Sequence, residues 1–419
     1  MDKILKFGGA SIKDAAAIQN IVSILKAMSQ ANLVIVFSAM GKTTNMLEEV
    51  VLSYTQGEVK KTLSQLDIIK EYHYRVIKDL FSEDHELYDK INNLFVQIEW
   101  VLSSEYRGDY DFSYDQIVCI GELLSTHIIS EYLILQDYPH IFLDARDLIK
   151  TNNDYRFAKI NWEKTFVSIK KHIKKGKVYL TQGFIGGTSE NFTTTLGREG
   201  SDFTAAILGN ALDTEEVVVW KDVPGIMNAD PVLFSSAKQL YKIPFEEAIE
   251  LAFYGAKVIH PRTIQPLQIK DIPLHVRSFI EPKKQGTIIS SENKIDPFLP
   301  FYILKEDQML ISISDPLLSF VIEEHLSTIF FIFSKYNIRV NMMQNSAISF
   351  SVCIDNDITK TSLIINELKK DFKVKYNSGL SLYTIRHYNK NIIEDIIGEN
   401  IIMLEQKTRN TIHLVLDKS

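Results

Sequence analysis

The sequence predicts an α/β protein built on a largely parallel sheet, followed by a smaller α+β region. Three observations carry that prediction. Apolar runs alternate with helical patterns through the first two thirds of the 419 residues. Loops rich in glycine and hydroxyl residues follow three of those runs. After a segment from Glu281 to Phe298 containing Pro282, Lys283, Lys284, Gly286, Asn293, Asp296 and Pro297, the pattern shortens to a βαββαβ order. Strands separated by helices imply a sheet covered on both faces, with ligands bound beyond the C-terminal ends of the strands.

Taken in order, Ile4 and Leu5 open a short strand that runs into Lys6-Phe7-Gly8-Gly9-Ala10-Ser11, with a helical pattern from about Asp14. A lysine and paired glycines between strand and helix offer an ammonium and backbone N–H groups to phosphate. Leu33 to Phe37 is a buried strand, followed by the turn Ser38-Ala39-Met40-Gly41 and a helix from about Asn45. Gly41-Lys42-Thr43 imitates the end of a Walker A loop, but its first glycine would fall at Val36, inside a strand, so that reading is rejected. Residues from about Lys60 to Ser104 read as long amphipathic helices, and Tyr114 to Leu135 as another, with Gly121-Glu122 near its beginning.

Val178 to Thr181, Val217 to Trp220 and Leu274 to Val276 are further strands. The Lys6 loop, the Ser38 loop and Gly183-Phe184-Ile185-Gly186-Gly187 all follow strands, so they are expected at one edge of the sheet. The run from Thr193 to Asp202 leads into the apolar stretch Phe203 to Leu212. Arg198 can fork onto a carboxylate, Gly197 and Gly200 permit close backbone approach, and the helix start offers free N–H groups. On the plainer reading Ser201 caps a helix, Asp202 opposes its macrodipole and Arg198 is a solvated charge.

Beyond the linker, Met309 to Ser314, Ile338 to Met343, Ile348 to Ile354 and Val374 to Tyr376 read as strands, with helices over Val321 to Tyr336 and Thr361 to Asp371. A second, shorter copy reads strand, helix, strand, strand over Ser381 to Arg386, Ile392 to Ile397, Ile401 to Gln406 and Thr411 to Leu416. The expected domains are 1–285, 299–377 and a shortened 378–419. A net charge of −7 without basic runs disfavours nucleic acid. Cys119 and Cys353 are too few for a disulfide framework or a cysteine metal cluster, which points to a reducing compartment. No apolar stretch reaches the roughly 20 residues of a membrane span, and Met1-Asp2-Lys3 opens straight into a strand, so a cytoplasmic protein without membrane contact is expected.

The sequence resembles the aspartate kinases. The resemblance rests on Lys6-Phe7-Gly8-Gly9, Ser38-Ala39-Met40-Gly41 with Thr44-Asn45, Gly121-Glu122, Thr181 to Gly186, Thr193 to Asp202, Asp222-Val223-Pro224-Gly225-Ile226, Asp230-Pro231 and Gly255 to Pro261, in that order over about the first 280 residues. It implies the three-layer amino-acid kinase fold, carbamate-kinase-like, with C-terminal ACT-like regulatory repeats and no homoserine dehydrogenase region. It also implies phosphorylation of the side-chain carboxylate of L-aspartate by ATP with Mg2+ carried on the nucleotide, no metal held by the protein itself, a homodimer, and an amino-acid effector at the repeats. By resemblance Arg198 grips the substrate α-carboxylate, and Glu122 and Asp202 lie at its amino end. Ser38, Thr44 and Ser201 orient the substrate. Lys6, with Gly8, Gly9 and Ser11, faces the transferring phosphoryl group. Lys257, Lys221, Asp222 and Met227 belong to the nucleotide side, with Lys6, Asp202 and Lys257 as the catalytic set.

Four positions depart from the family pattern: Lys221 replaces a threonine, Met227 a tyrosine, Val232 an arginine and Glu199 a glycine. Lys221 adds a positive charge, and the Glu199 side chain is expected in solvent. The alternatives are another amino-acid kinase of the same fold, such as a glutamate kinase, and a catalytically weak amino-acid sensor. In lysine-inhibited relatives a serine-glutamate pair and a small-residue loop hold the effector; here Ser346 is followed by Ala347, and Asp315 to Phe320 lacks a glycine.

Overall fold

The computed structural model describes residues 1–28, 32–106, 108–256, 259–317 and 319–417. The apolar runs become the strands Lys3–Phe7, Leu33–Phe37, Val178–Gln182 and Glu216–Lys221 of an eight-stranded sheet. Lys3–Phe7 lies parallel between Leu33–Phe37 and Glu216–Lys221; Val178–Gln182 is parallel to Leu33–Phe37 and Leu274–Ser278 to Glu216–Lys221. Their nearly continuous apolar sequence follows from burial on both faces.

The sheet also holds strands that the periodicity does not reveal. Ile141–Leu143 is a three-residue strand parallel to Val178–Gln182. Thr287–Ser290, inside the segment read as a linker, pairs antiparallel with Leu274–Ser278 and parallel with Lys242–Pro244. The helix read as beginning at Asn45 starts at Thr43, so Thr44 stands in its first turn. Asp14 caps Ala15–Lys26 by accepting from the Ala17 N–H at 2.8 Å.

The helix read over Tyr114 to Leu135 is two pieces, Tyr110–Val118 and Ile120–Leu135. By length and hydropathy the whole Tyr110–Leu135 run could cross a membrane, contrary to the sequence expectation, but 83% of its most apolar window is buried in the protein. It is a core helix, apolar on nearly every side because it is covered on nearly every side.

The chain divides into two compact units whose boundaries differ from the expected domains. The first comprises Met1–Ile226, Gln239–Ala252 and Lys257–Pro297. The second takes Met227–Lys238, Phe253–Ala256 and Phe298–Ser419, so the kinase-like unit ends at Pro297 rather than 285 and lends two short stretches to its neighbour. The second unit carries one six-stranded antiparallel sheet. Phe301–Ser314 and Lys373–Arg386, each 14 residues long, pair along their length and serve both repeats. The second strand joins the expected Val374 to Tyr376 and Ser381 to Arg386; its pairing with Phe301–Ser314 shifts register on both sides of Gln308, around Gly379 at φ 74, without ending the strand. The helices Glu323–Lys335 and Ile358–Leu368 cover one core of this unit, and Lys390–Ile397 covers another.

Candidate active site

Three adjacent parallel strands deliver their following loops to one edge, as the sequence suggests. The Ser38 N–H donates to Phe7 O at 3.2 Å, Gly41 N–H to Gly9 O at 3.0 Å and Gly183 N–H to Phe37 O at 2.8 Å. Gly9 is required by this approach: a β-carbon there would stand 2.6 Å from Gly41 O and 2.8 Å from Ala39 O. Here the first unit has a cavity of about 520 Å3, lined by Lys6, Ser38, Thr44, Glu122, Arg198, Ser201, Asp202 and Lys221 among others. Eight of the sequence-derived site residues therefore share one cavity.

Its electrostatic centre is Asp202, in the first turn of the helix Gly200–Leu212. The Lys6 ammonium lies 2.6 Å from Asp202 Oδ1 and the Lys221 ammonium 3.3 Å from Oδ2. All three groups are largely withdrawn from water. Burial pushes the Asp202 carboxyl upward, but Lys221 and Lys6 outweigh it and hold the group below its ordinary range. Both oxygens of the Asp202 carboxylate thus face cations, Lys6 at Oδ1 and Lys221 at Oδ2.

Glu122 lines the same cavity. It stands in the first turn of Ile120–Leu135, accepts from the Ala39 N–H at 3.3 Å through Oε1, and has a buried Oε2 with no partner among the described residues. Burial pushes its carboxyl up to about 8. Arg198 is exposed and pairs with no carboxylate among the described residues. Ser201 is not the helix cap; the cap position is Glu199, at φ 52. Glu199 does not point simply into solvent, because it lines the cavity and its Oε2 accepts from the His260 N–H at 2.8 Å.

The remaining sequence-derived residues lie elsewhere. Gly8 sits beneath Lys6, its would-be β-carbon 3.3 Å from the ammonium. Ser11 is buried with a partnerless Oγ among the described residues. Neither they nor Gly9 nor the exposed Asp222 line the cavity, Met227 belongs to the second unit, and Lys257 lies outside the described residues. Among the described residues no group of three or more His, Cys, Asp or Glu side chains could hold a metal ion.

Asn45 and Phe184, which lie in motifs read from the sequence, line the same cavity; sequence reasoning missed Glu48, Tyr114, Arg156 and Phe157 there. It also missed Asp115, a fully buried carboxylate on Tyr110–Val118 that accepts from Thr195 Oγ1 at 2.6 Å, the Thr195 N–H at 2.9 Å and the Arg156 N–H at 2.8 Å. Burial lifts its carboxyl to about 6 against the pull of those donors. The threonines that open the run from Thr193 to Asp202 form a short strand, Thr193–Thr195, with hydroxyls used internally: Thr194 meets Thr151 at 2.7 Å. No periodicity signals a residue such as Asp115, whose partners lie 41 and 80 positions away.

Residues 1–278 match the model of the amino acid kinase family. The chain is 31% identical over 394 residues to lysine-sensitive aspartokinase 3 of Escherichia coli (strain K12), covering 91% of this chain and 86% of that one. It is 30% identical to the chloroplastic aspartokinase 1 of Arabidopsis thaliana, covering 87% of this chain and 65% of the plant protein. Among solved structures, E. coli aspartokinase III in complex with aspartate and ADP in its R-state matches with a TM-score of 0.82 and 26% identity, over 99% of this chain and 96% of that one. The same enzyme with lysine and aspartate in its T-state matches with a TM-score of 0.82 and 27% identity.

The Glu122 environment makes stability pH-dependent. Its folded value near 8 lies above the ordinary 4.5, so the folded protein holds a proton that the unfolded chain releases between those values. The stabilisation is complete below the ordinary value and is lost as pH rises toward 8. Glu122→Gln carries no such proton. The stability of the parent relative to this variant is expected to fall by about 1 kcal/mol per pH unit between about pH 5 and about pH 8. Unfolding midpoints of both proteins across that range check this, and a constant difference would mean that the folded carboxyl is already ionised.

Proposed function

We propose how the residues of this chain, which belongs to the amino acid kinase family and within it to the aspartokinases, divide the work of phosphorylating L-aspartate. The chain transfers the γ-phosphoryl group of ATP to the side-chain carboxylate of L-aspartate, giving 4-phospho-L-aspartate and ADP in the pathway of aspartate-derived amino acids. The observation that carries the division is the Lys6–Asp202–Lys221 cluster sharing a cavity with an unpaired guanidinium and a half-partnered carboxyl.

A carboxylate with an ordinary value near 4 is ionised at neutral pH, so the nucleophile needs no general base. One of its oxygens bonds to the γ-phosphorus while the bond to the β,γ-bridging oxygen breaks, and that oxygen leaves with the electron pair on ADP. What the protein supplies is position and charge. Arg198 takes the α-carboxylate by its fork, and Glu122 takes the ammonium, releasing its proton as the substrate binds. Lys6 faces the transferring phosphoryl group, with Lys221 as a second cation, and Asp202 keeps both lysines in place. Gly8, Gly9 and Ser11 are assigned to the phosphate side; the buried Ser11 Oγ, without a partner among the described residues, and the ammonium above Gly8 suit such a ligand. Asp222, Met227 and Lys257 remain assigned to the nucleotide by resemblance. Mg2+ arrives on the nucleotide and neutralises phosphate charge.

A homodimer formed through the second unit is supported by Leu317, Phe320 and Phe331, which are 90%, 70% and 68% exposed there. Two free, buried cysteines suit a reducing, cytoplasmic setting.

Hydroxylamine trapping of the acyl phosphate with ATP and individual amino acids tests the activity, and aspartate is the expected substrate. Lys6→Ala is expected to lower mainly kcat, since its charge is most useful when phosphoryl charge spreads in the transition state. Near-normal turnover in that variant would remove Lys6 from the role. Arg198→Lys keeps the charge and loses the fork, so kcat/KM for aspartate should fall by roughly 10-fold or more, about 1.4 kcal/mol. An unchanged value returns Arg198 to a solvated surface charge. Inhibition by lysine is expected to be weak or absent: Ala347 offers no carboxylate, and Ser346 Oγ is already bonded to Ser349. The missing charged partner costs the effector on the order of 1.5 to 3 kcal/mol. A lysine titration that saturates below about 1 mM would contradict this.

A further inference from the structure

The lining of the cavity that holds the lysine cluster includes a residue in a conformation that its side chain disfavours. Arg156 has φ 68, in the left-handed region where only glycine is at ease. It is held there from two sides. Its backbone N–H donates to the buried Asp115 carboxylate at 2.8 Å, and its Nη2 donates to Glu48 Oε1 at 2.6 Å. Its guanidinium also lies 4.7 Å from the centre of the Tyr114 ring and 5.3 Å from that of Tyr110. Strain that persists because its surroundings over-determine it is a mark of functional positions.

The location gives the strain a use. Asp115 also binds both the N–H and the hydroxyl of Thr195, two residues before Gly197 and three before Arg198. At Gly197, φ 74, a β-carbon would stand 2.8 Å from the Phe157 ring and 3.4 Å from Arg156 O. The Arg156-Phe157 segment therefore backs the loop that presents Arg198, while Glu48 ties it to the helix that carries Thr44.

We propose that Arg156, locked by Glu48, is a specificity-determining residue that sets the length of the acidic substrate. The inference rests on the aspartate kinase reading of the cavity. The reacting carboxylate is fixed at the lysine cluster, so a substrate one methylene longer has to displace its α-carbon toward the Arg198 loop. The Arg156 wall stands behind that loop and denies the displacement. Because Glu48 neutralises the guanidinium, the wall excludes by shape and rigidity without offering a second carboxylate anchor.

The test compares L-aspartate and L-glutamate in the hydroxylamine-trapped acyl-phosphate reaction of the full chain. Arg156→Gly keeps the N–H that Asp115 needs and relieves the left-handed strain, so it removes the wall without removing the clamp. It is expected to raise kcat/KM for glutamate at least 10-fold, within the range one methylene commands in a pocket. Glu48→Ala, which unlocks Arg156 from the other side, is expected to raise it at least about threefold by the same measure. Glutamate use that stays unchanged in both variants, or falls together with aspartate use, overturns the proposal. Failure of the parent protein to phosphorylate aspartate would instead overturn the reading on which it rests.

Discussion

A carboxylate held between two ammonium groups, with little water among them, is the constraint around which the first unit is arranged. Lys6 comes from the end of one strand, Lys221 from the end of its parallel neighbour, and Asp202 from the first turn of a helix. Each buried charge would be costly alone; the Asp202 carboxylate faces both lysines, and Glu199 adds negative charge beside Lys221. Such a cluster of opposite charges needs a fixed geometry. The sheet enforces it: Lys6 and Phe7 alternate faces, and Phe7 stacks between Phe37 and Trp220 at centroid distances of 5.5 and 5.8 Å. The aromatic row fixes the strand ends from one side, so the lysine is delivered to the other with little freedom.

Three other buried or half-buried carboxyls show how environment separates groups of the same chemistry. Asp202 has two cations and remains ionised. Asp115 has three donors but no cation against it and sits at about 6. Glu122 has one backbone donor and lies at about 8. Glu199 is raised as well, chiefly by burial, while its oxygen meets a backbone N–H. The order follows the number and charge of the groups facing each carboxylate.

Much of this was legible in the sequence where local pattern and chemistry coincide. The five-residue apolar runs and the glycine loops behind them mark the strand ends, and Arg198, Glu122 and Lys6 sit where such loops would put a ligand. What could not be read is non-local. Ile141–Leu143 is too short for its alternation to register, and Thr287–Ser290 hides among linker-like residues because its partner strand, not its composition, makes it a strand. Arg156 and Glu48 are 108 positions apart, and nothing in either neighbourhood announces the other. The strand order of the two repeats is legible as pattern, but the continuity of the 14-residue strand that joins them is not, since it looks like two short strands when glycine falls in its middle.

The interleaving of the two units in the chain bears on how such a protein can be reshaped by inheritance. The second unit is assembled from Met227–Lys238, Phe253–Ala256 and Phe298–Ser419, with stretches of the first unit between them. A single recombination junction at residue 297 would import a foreign regulatory sheet while leaving two of its native segments behind in the older half. Intact exchange requires several coordinated junctions. Any substitution of the sequence before residue 297 therefore also replaces the two short segments that it contributes to the second unit.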